Sequence, residues 1–68
     1  MKRIELAVGD MTCGHCASTI TRAVKEVDSG GRCEVDLGAK RVRIESDLPA
    51  SKFISAIEEA GFTPVAVP

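Results

Sequence analysis

Cys13 and Cys16, separated by two residues, are the side chains in this sequence best suited to chemistry. Thiolates are soft ligands for Cu(I) and Zn(II), and they are also the nucleophiles of thiol–disulfide exchange. Both kinds of chemistry use the deprotonated sulfur, and a thiol loses its proton more readily at the start of a helix. The pair therefore predicts a soft-metal site or a redox site, and composition alone does not choose between them.

The number of ligands separates the candidate metals. A closed structural zinc site needs four protein ligands, whereas this segment offers Cys13, Cys16 and at most His15, with no second pair of the same spacing. Cu(I) accepts two sulfurs in a nearly linear arrangement, which leaves one side open for an incoming thiolate. An open site of this kind suits transfer better than storage. We therefore expect Cu(I) as the bound ion, with zinc, mercury and silver as alternatives.

A small thiol–disulfide oxidoreductase is the alternative from a different class. The sequence Cys-Gly-His-Cys is also the active-site sequence of protein disulfide isomerases, and a helix that opens on such a pair fits a thioredoxin-like site. However, 68 residues are few for that fold, Thr12 stands where such sites usually have tryptophan, and Pro49 begins a helix instead of preceding a strand. No general base or triad is evident. We assign no catalytic residue and expect no enzyme.

Length, charge and composition exclude other functions. We expect one domain over residues 1–68, in which nine basic and ten acidic residues leave a net charge of −1. Binding of nucleic acid needs clustered cations and stacking aromatics, and this sequence has neither Trp nor Tyr. No apolar run approaches the roughly 20 residues that span a bilayer, and the N-terminus lacks the apolar core of a signal peptide. We expect a cytoplasmic protein without membrane insertion.

A strand and a helix place the cysteine pair at their junction. Alternating apolar residues predict a strand over residues 2–8, and apolar residues at helical spacing begin at Cys16 and end before the turn at residues 28–31. Cys13 is therefore expected in the loop and Cys16 in the first turn of the helix. Unpaired N–H groups and the positive end of the helix dipole favour an anion there.

A hairpin and a second helix follow. Alternation predicts two strands with five inward-facing residues, and Ser46 and Asp47 are the predicted caps of the second helix, which Gly61 ends. The inward-facing residues are Cys33, Val35, Leu37, Val42 and Ile44.

A last strand completes the fold. It covers residues 62–67 and contains Pro64, so it should lie at a sheet edge. The order β-α-β-β-α-β predicts an α+β fold, the ferredoxin-like sandwich, in which two helices cover one face of a four-stranded antiparallel sheet.

The segment Met11-Thr12-Cys13-Gly14-His15-Cys16, which follows a strand and opens a helix, resembles the heavy-metal-associated domain. That family includes bacterial copper chaperones and the N-terminal modules of copper-transporting P-type ATPases. The resemblance covers nearly the whole chain, including residues 58–62. It implies the ferredoxin-like fold, a surface Cu(I) site on both cysteines, and transfer to a partner's own cysteine pair through three-coordinate intermediates. It also implies that Met11 is buried beneath the loop and shapes it without binding the ion.

Two positions depart from the family pattern. The family usually has glycine before the methionine, where this chain has Asp10, whose charge could tune the choice of partner or favour a divalent ion. Phe62 stands where bacterial chaperones often have tyrosine and eukaryotic ones lysine. Phenylalanine keeps the packing beside the loop but lacks the hydroxyl. Neither departure changes the sulfurs.

The other candidate residues have plain structural explanations. Cys33 lies on the inward face of its strand, so we expect a core cysteine. His15 is expected to face solvent and, with Thr12, to lie beside the site without binding the ion. One exposed helix face near the site could steer an acidic partner, although we expect a solvated face. This face is formed by Ser18, Arg22 and Lys25.

These observations predict a cytoplasmic metallochaperone that passes Cu(I) to a P-type ATPase or to one of its metal-binding domains. A metal-binding domain excised from a heavy-metal transporter, or a carrier of zinc or mercury, would use the same chemistry. A surface site would also allow two chains to share one ion as a metal-bridged homodimer. We expect the apo form to stay folded, because the predicted core is complete without metal.

Overall fold

The helices and strands follow the chain in the predicted order. A computed structural model describes residues 2–67, so that residues 1 and 68 lie outside the described part. The elements are β1 (Lys2–Val8), α1 (Gly14–Val27), β2 (Arg32–Asp36), β3 (Arg41–Ser46), α2 (Ala50–Glu59) and β4 (Pro64–Ala66). Neither helix in this part of the chain has the length and apolar character that crossing a bilayer requires.

The sheet has the strand order β2-β3-β1-β4, and its neighbouring strands are antiparallel. β1 is a central strand, so Leu6 pairs with Val42 on one side and with Ala66 on the other. Pro64 is the first residue of β4, which pairs with β1 and forms an edge, where a missing N–H costs least. The ferredoxin-like prediction is confirmed.

The core lies between the two helices and one face of the sheet. The central strands supply alternate residues, as period two requires, while each helix supplies residues about one turn apart. Burial of each such side chain contributes about 1.5–3 kcal/mol. The fully buried apolar residues are Leu6, Val8, Met11, Ile20, Val24, Val42, Ile44, Phe53 and Ile57.

The open face of the sheet carries side chains of alternating charge. Glu5 accepts hydrogen bonds from Arg41 at 2.8 Å and from Arg43 at 3.4 Å. Exposed pairs of this kind contribute at most about 1 kcal/mol each to stability. Their main effect is to keep this face hydrated and to disfavour its association with other sheets. Further opposite charges are paired by the register of β2 with β3: Arg32 with Glu45, Glu34 with Arg43, and Asp36 with Arg41.

The prediction that Leu37 faces the core is wrong. β2 ends at Asp36, and Leu37 lies in the following turn with 39% of its surface exposed. The Asp36 carboxylate accepts a hydrogen bond from the N–H of Ala39 at 3.1 Å, and Lys40 takes a φ of 55°. This local side-chain bond closes the turn one residue before the alternation of hydrophobic residues stops.

The start of α2 also differs from the prediction. Pro49 occupies the N-cap position with extended backbone and no side-chain capping bond. Ser46 is the last residue of β3 and is fully buried; its hydroxyl donates to Asp28 and accepts from the N–H of Leu48 at 3.1 Å. Ser46 therefore does not cap α2, because the end of α1 lies against its hydroxyl. Gly61 follows α2 with a φ of 100°, as expected for a helix stop.

Candidate metal centre

The loop between β1 and α1, residues 9–13, is called the metal loop below. It begins with a tight turn, in which the N–H of Met11 donates to the carbonyl of Val8 at 3.1 Å. The N–H of Val8 donates to the carbonyl of Lys40 at 2.9 Å, which ties the end of β1 to the β3 side. The Met11 side chain is fully buried in the core. The start of the metal loop is therefore anchored by both its backbone and an apolar side chain.

Cys13 is the N-cap residue of α1. Its backbone is extended, with φ −147° and ψ 166°, and its sulfur accepts a hydrogen bond from the N–H of Cys16 at 3.4 Å. This is the position in which a serine or aspartate oxygen would satisfy an unpaired N–H at a helix start. α1 has no acidic residue in its first turn. The favourable end of the helix dipole is therefore left to the sulfur.

The two sulfurs lie 3.1 Å apart and share a hydrogen bond. This separation exceeds the bond of about 2.05 Å in a disulfide, and both cysteines are free. With metal–sulfur bonds of about 2.3 Å, a linear S–metal–S unit spans about 4.6 Å, so the sulfurs must separate by about 1.5 Å to hold an ion that way. Because Cys16 belongs to α1, this adjustment falls on Cys13 and the metal loop.

The surroundings of Cys13 favour its thiolate. The Cys16 thiol lowers the pKa of Cys13, and the backbone N–H groups of Cys16 and His15 lower it further, which outweighs the opposing effect of desolvation. Cys13 is exposed and Cys16 is partly buried. A partner can therefore approach the pair from the Cys13 side, where the sulfur is exposed.

The described residues around the pair offer no third ligand in place. Within residues 2–67, no group of three or more His, Cys, Asp or Glu side chains is arranged to hold a metal ion. His15 is exposed, as is Thr12. The main chain of His15 contributes to the helix start, since its carbonyl accepts a hydrogen bond from the Thr19 hydroxyl at 3.0 Å. The candidate site consists of two sulfurs.

Cys33 is separate from this pair. It lies in β2, is half-buried and packs against the core. Burial raises the pKa of the Cys33 thiol, against a smaller opposing effect of the Thr21 hydroxyl and of Lys25. A protonated, half-buried thiol agrees with the expected core cysteine.

The candidate docking residues on α1 differ from one another. Ser18 and Arg22 are exposed. Lys25 is exposed too, but its ammonium donates a hydrogen bond to the carbonyl of Gly31, beyond the C-terminal end of α1. The charge of Lys25 is therefore held at the end of the helix opposite to the cysteines.

Asp10 makes a contact that the sequence did not predict. Its carboxylate accepts a hydrogen bond from the backbone N–H of Thr63 at 3.3 Å, and Thr63 lies in the turn that leads into β4. Phe62, the residue before it, is half-buried and packs against the core. An acidic residue in place of the usual glycine was the only signal in the sequence, and it did not identify a partner 53 positions away.

The family model of the heavy-metal-associated domain matches residues 5–63. This chain belongs to the heavy-metal-associated domain family. The resemblance inferred from the sequence around Met11, Cys13 and Cys16 is thereby confirmed. In this heavy-metal-associated domain, the match extends from β1 to the turn before β4 and includes the metal loop.

Two characterised relatives cover most of this heavy-metal-associated domain. The chain is 40% identical over 58 residues to the "COP-associated protein" of Helicobacter felis, a match that covers 85% of each chain. It is 33% identical over 63 residues to the "Copper transport protein ATOX1" of Homo sapiens, which covers 93% of this chain and 90% of that protein.

Solved structures share its fold. A crystal structure of a gold binding protein superposes with a TM-score of 0.91 and 31% identity, and covers 94% of this chain and 98% of the other. A copper binding domain from HMA7, a P-type ATPase, superposes with a TM-score of 0.91 and 26% identity over 100% of this chain and 96% of the other. The structures that share this fold therefore include a domain of a P-type ATPase and a protein named for gold.

Proposed function

We propose that this heavy-metal-associated domain carries one Cu(I) ion between Cys13 and Cys16 and passes it to an acceptor protein, without catalysing a reaction. The observation that carries the proposal is the sulfur pair, 3.1 Å apart at the exposed start of α1. The lowered pKa of Cys13 supports it, because the thiolate is the form that binds the ion.

The two-sulfur geometry supports transfer over storage. A Cu(I) ion held by two thiolates forms a complex with a charge of −1, which suits the N-terminus of a helix. With one side of the pair open, an acceptor thiolate can add before either original sulfur leaves, so the ion is never free in solution. A structural zinc site would need four ligands, and the described residues present no cluster of that kind.

The proposed acceptor is a P-type ATPase or its metal-binding domain, which would present a similar cysteine pair. The similarity to the copper binding domain of HMA7 supports this choice, because two domains of one fold can place their metal loops face to face. We place the exchange in the cytoplasm, where the reducing conditions keep both thiols free. Residues 1–68 are proposed to act as a single domain. In a metal-bridged homodimer, two copies of this domain would share one ion between their cysteine pairs.

Docking is proposed to involve the exposed face of α1 next to the site. Ser18 and Arg22 are exposed on the solvent side of α1, roughly 3 Å and 9 Å along the helix axis from Cys16. Lys25 contributes least, because its ammonium binds the Gly31 carbonyl. Arg22 would guide an acidic acceptor surface, which would raise the rate of association at low salt.

A competition titration against a coloured Cu(I) chelator tests the proposal under anaerobic conditions. The wild-type protein should retain one Cu(I) per chain, whereas Cys13→Ser combined with Cys16→Ser should retain none. Cys33→Ser is the matched control, since it removes a thiol outside the pair and should bind like wild type. Equal retention by the double variant would overturn the assignment of the ligands.

Two further measurements separate the proposal from its alternatives. The same titration with Zn(II) and a zinc chelator should show much weaker binding, because two ligands leave zinc with an incomplete shell. In an insulin-reduction assay, the protein should stay near the rate of a free dithiol. Catalytic turnover in that assay would favour the oxidoreductase instead.

A further inference from the structure

The start of the metal loop is held on two sides, and we call residues 9–11 its stem. On one side, the N–H of Val8 donates to the carbonyl of Lys40 at 2.9 Å, next to β3. On the other side, the Asp10 carboxylate accepts from the N–H of Thr63 at 3.3 Å, next to β4. The end of β1 is therefore bonded to the residue before β3, and the stem is bonded to the turn before β4. Of these two bonds, only the second uses a side chain.

The turn that carries Thr63 is itself firmly placed. Gly61, at a φ of 100°, reverses the chain after α2, and the N–H of Phe62 donates to the carbonyl of Ile57 at 3.2 Å. Phe62 packs against the core, and Pro64 is fixed beside Val8 by the strand register. A hydrogen bond to this turn therefore ties the stem to the C-terminal end of α2.

We propose that Asp10 is a positioning residue, which holds the stem against the turn at residues 62–63 so that the metal loop opens only beyond Met11. This inference rests on the proposed function in one respect, namely that the sulfurs separate to admit an ion. Met11 is buried and α1 begins at Gly14, so Thr12 and Cys13 are the part left to move. With its stem fixed, this segment returns Cys13 to the same position after each opening.

The contact predicts what kind of side chain is needed at position 10. The bond uses one carboxylate oxygen as an acceptor for a backbone N–H. An asparagine oxygen can accept the same bond without the charge, whereas alanine cannot accept it. The pair Asp10→Asn and Asp10→Ala therefore separates the effect of the hydrogen bond from the effect of the charge. Glu26→Ala, on the exposed surface of α1, is the matched control for loss of one negative charge.

The first measurement uses the metal-free protein. In amide hydrogen exchange followed by NMR, the protection of the Thr63 N–H should fall roughly two- to tenfold in Asp10→Ala, the range that corresponds to one hydrogen bond. Asp10→Asn and Glu26→Ala should stay within about twofold of wild type. Unchanged protection in Asp10→Ala would overturn the proposal. A loss of the same size in Asp10→Asn would also overturn it, because the charge would then be responsible.

The second measurement uses the copper-loaded protein. Release of Cu(I) to a chelator should be roughly two- to tenfold faster in Asp10→Ala than in wild type, and Asp10→Asn should restore the wild-type rate. Equal rates in all three proteins would overturn the role of Asp10 in holding the ion. If wild type binds no Cu(I), the proposed function fails, while the exchange measurement still decides whether Asp10 holds the stem.

Discussion

The polar groups at the first turn of α1 bond mainly to one another. Those at the C-terminal end of α1 bond to residues outside the helix. Cys13 caps the start of the helix, and its sulfur contacts the N–H and the sulfur of Cys16 at the surface. At the other end, Asp28 accepts hydrogen bonds from the Ser46 hydroxyl and from the N–H of Gly30. One end is available to an external partner, and the other is closed by β3.

The two ends of α1 also differ in the charge that they favour. An anion is favoured at the N-terminus of a helix and disfavoured at its C-terminus. The helix therefore helps the Cys13 thiolate, while the Asp28 carboxylate has to be stabilised by other groups. The Ser46 hydroxyl, the N–H groups of Gly30 and Gly31, and the charge of Lys25 together lower the pKa of Asp28 despite partial desolvation. Groups that stabilise the fold and groups that are proposed to bind the ion thus lie at opposite ends of one helix.

The largest expected effects come from one variant at each end of α1. The variant at the N-terminal end should affect copper binding, and the variant at the C-terminal end should affect stability. Cys13→Ser should weaken Cu(I) binding by roughly 100- to 1,000-fold, because a four-ligand zinc site is worth about 10–16 kcal/mol and one ligand's share of it is about 2.5–4 kcal/mol. Ser46→Ala should leave Cu(I) affinity within about twofold. It should instead lower the free energy of unfolding by about 1–3 kcal/mol, since the part-buried N–H of Leu48 loses the hydroxyl that accepts its hydrogen bond.

Chelator competition measures the Cu(I) affinity of both variants, and urea unfolding of their apo forms measures the stability. Cys13→Ser should unfold close to the wild-type urea concentration, because serine is also a good N-cap. If Ser46→Ala weakened copper binding as much as Cys13→Ser did, the two ends would not be independent.

The next largest effect concerns the anchor of the metal loop. Met11→Ala should lower the free energy of unfolding by about 2–5 kcal/mol, because a fully buried side chain leaves a cavity. The whole domain is expected to be stable by only roughly 3–10 kcal/mol. Met11→Leu conserves the volume and should cost less than about 1.5 kcal/mol. Urea unfolding with circular dichroism measures both, and equal stability of wild type and Met11→Ala would show that the anchor does not support the core.

The smallest effect is the pH dependence of the stability that Asp28 contributes at the C-terminal end of α1. Because folding lowers the pKa of Asp28, its contribution is present above the unfolded value of about 3.9 and is lost as the pH falls through the folded value. Ser46→Ala removes the first cause of this lowering. The difference in stability between wild type and variant should therefore shrink as the pH falls below about 3.9. Urea midpoints above and below this pH measure it, and a difference independent of pH would rule out the coupling to Asp28.

Much of the fold and of the candidate site could be predicted because the signals are local. Alternation around Leu6, helical spacing after Cys16 and the glycine at position 61 each depend on neighbours within a few positions. The same is true of Cys13 and Cys16, whose spacing at a helix start brings the sulfurs together. The wrong predictions have different causes: the Asp36 side chain ends β2 locally before Leu37, whereas Ser46 is held by Asp28 from the end of α1.

The sequence by itself determined the order of the elements, the family and the position of the sulfur pair, because periodicity and helix capping act between residues close in the chain. Only the tertiary structure decided that Ser46 bonds to Asp28 and that Asp10 bonds to Thr63. These partners are 18 and 53 positions apart, and their contact depends on how the strands and helices pack. A polar side chain shows in the sequence that it needs a partner, but the folded chain determines which partner is within reach.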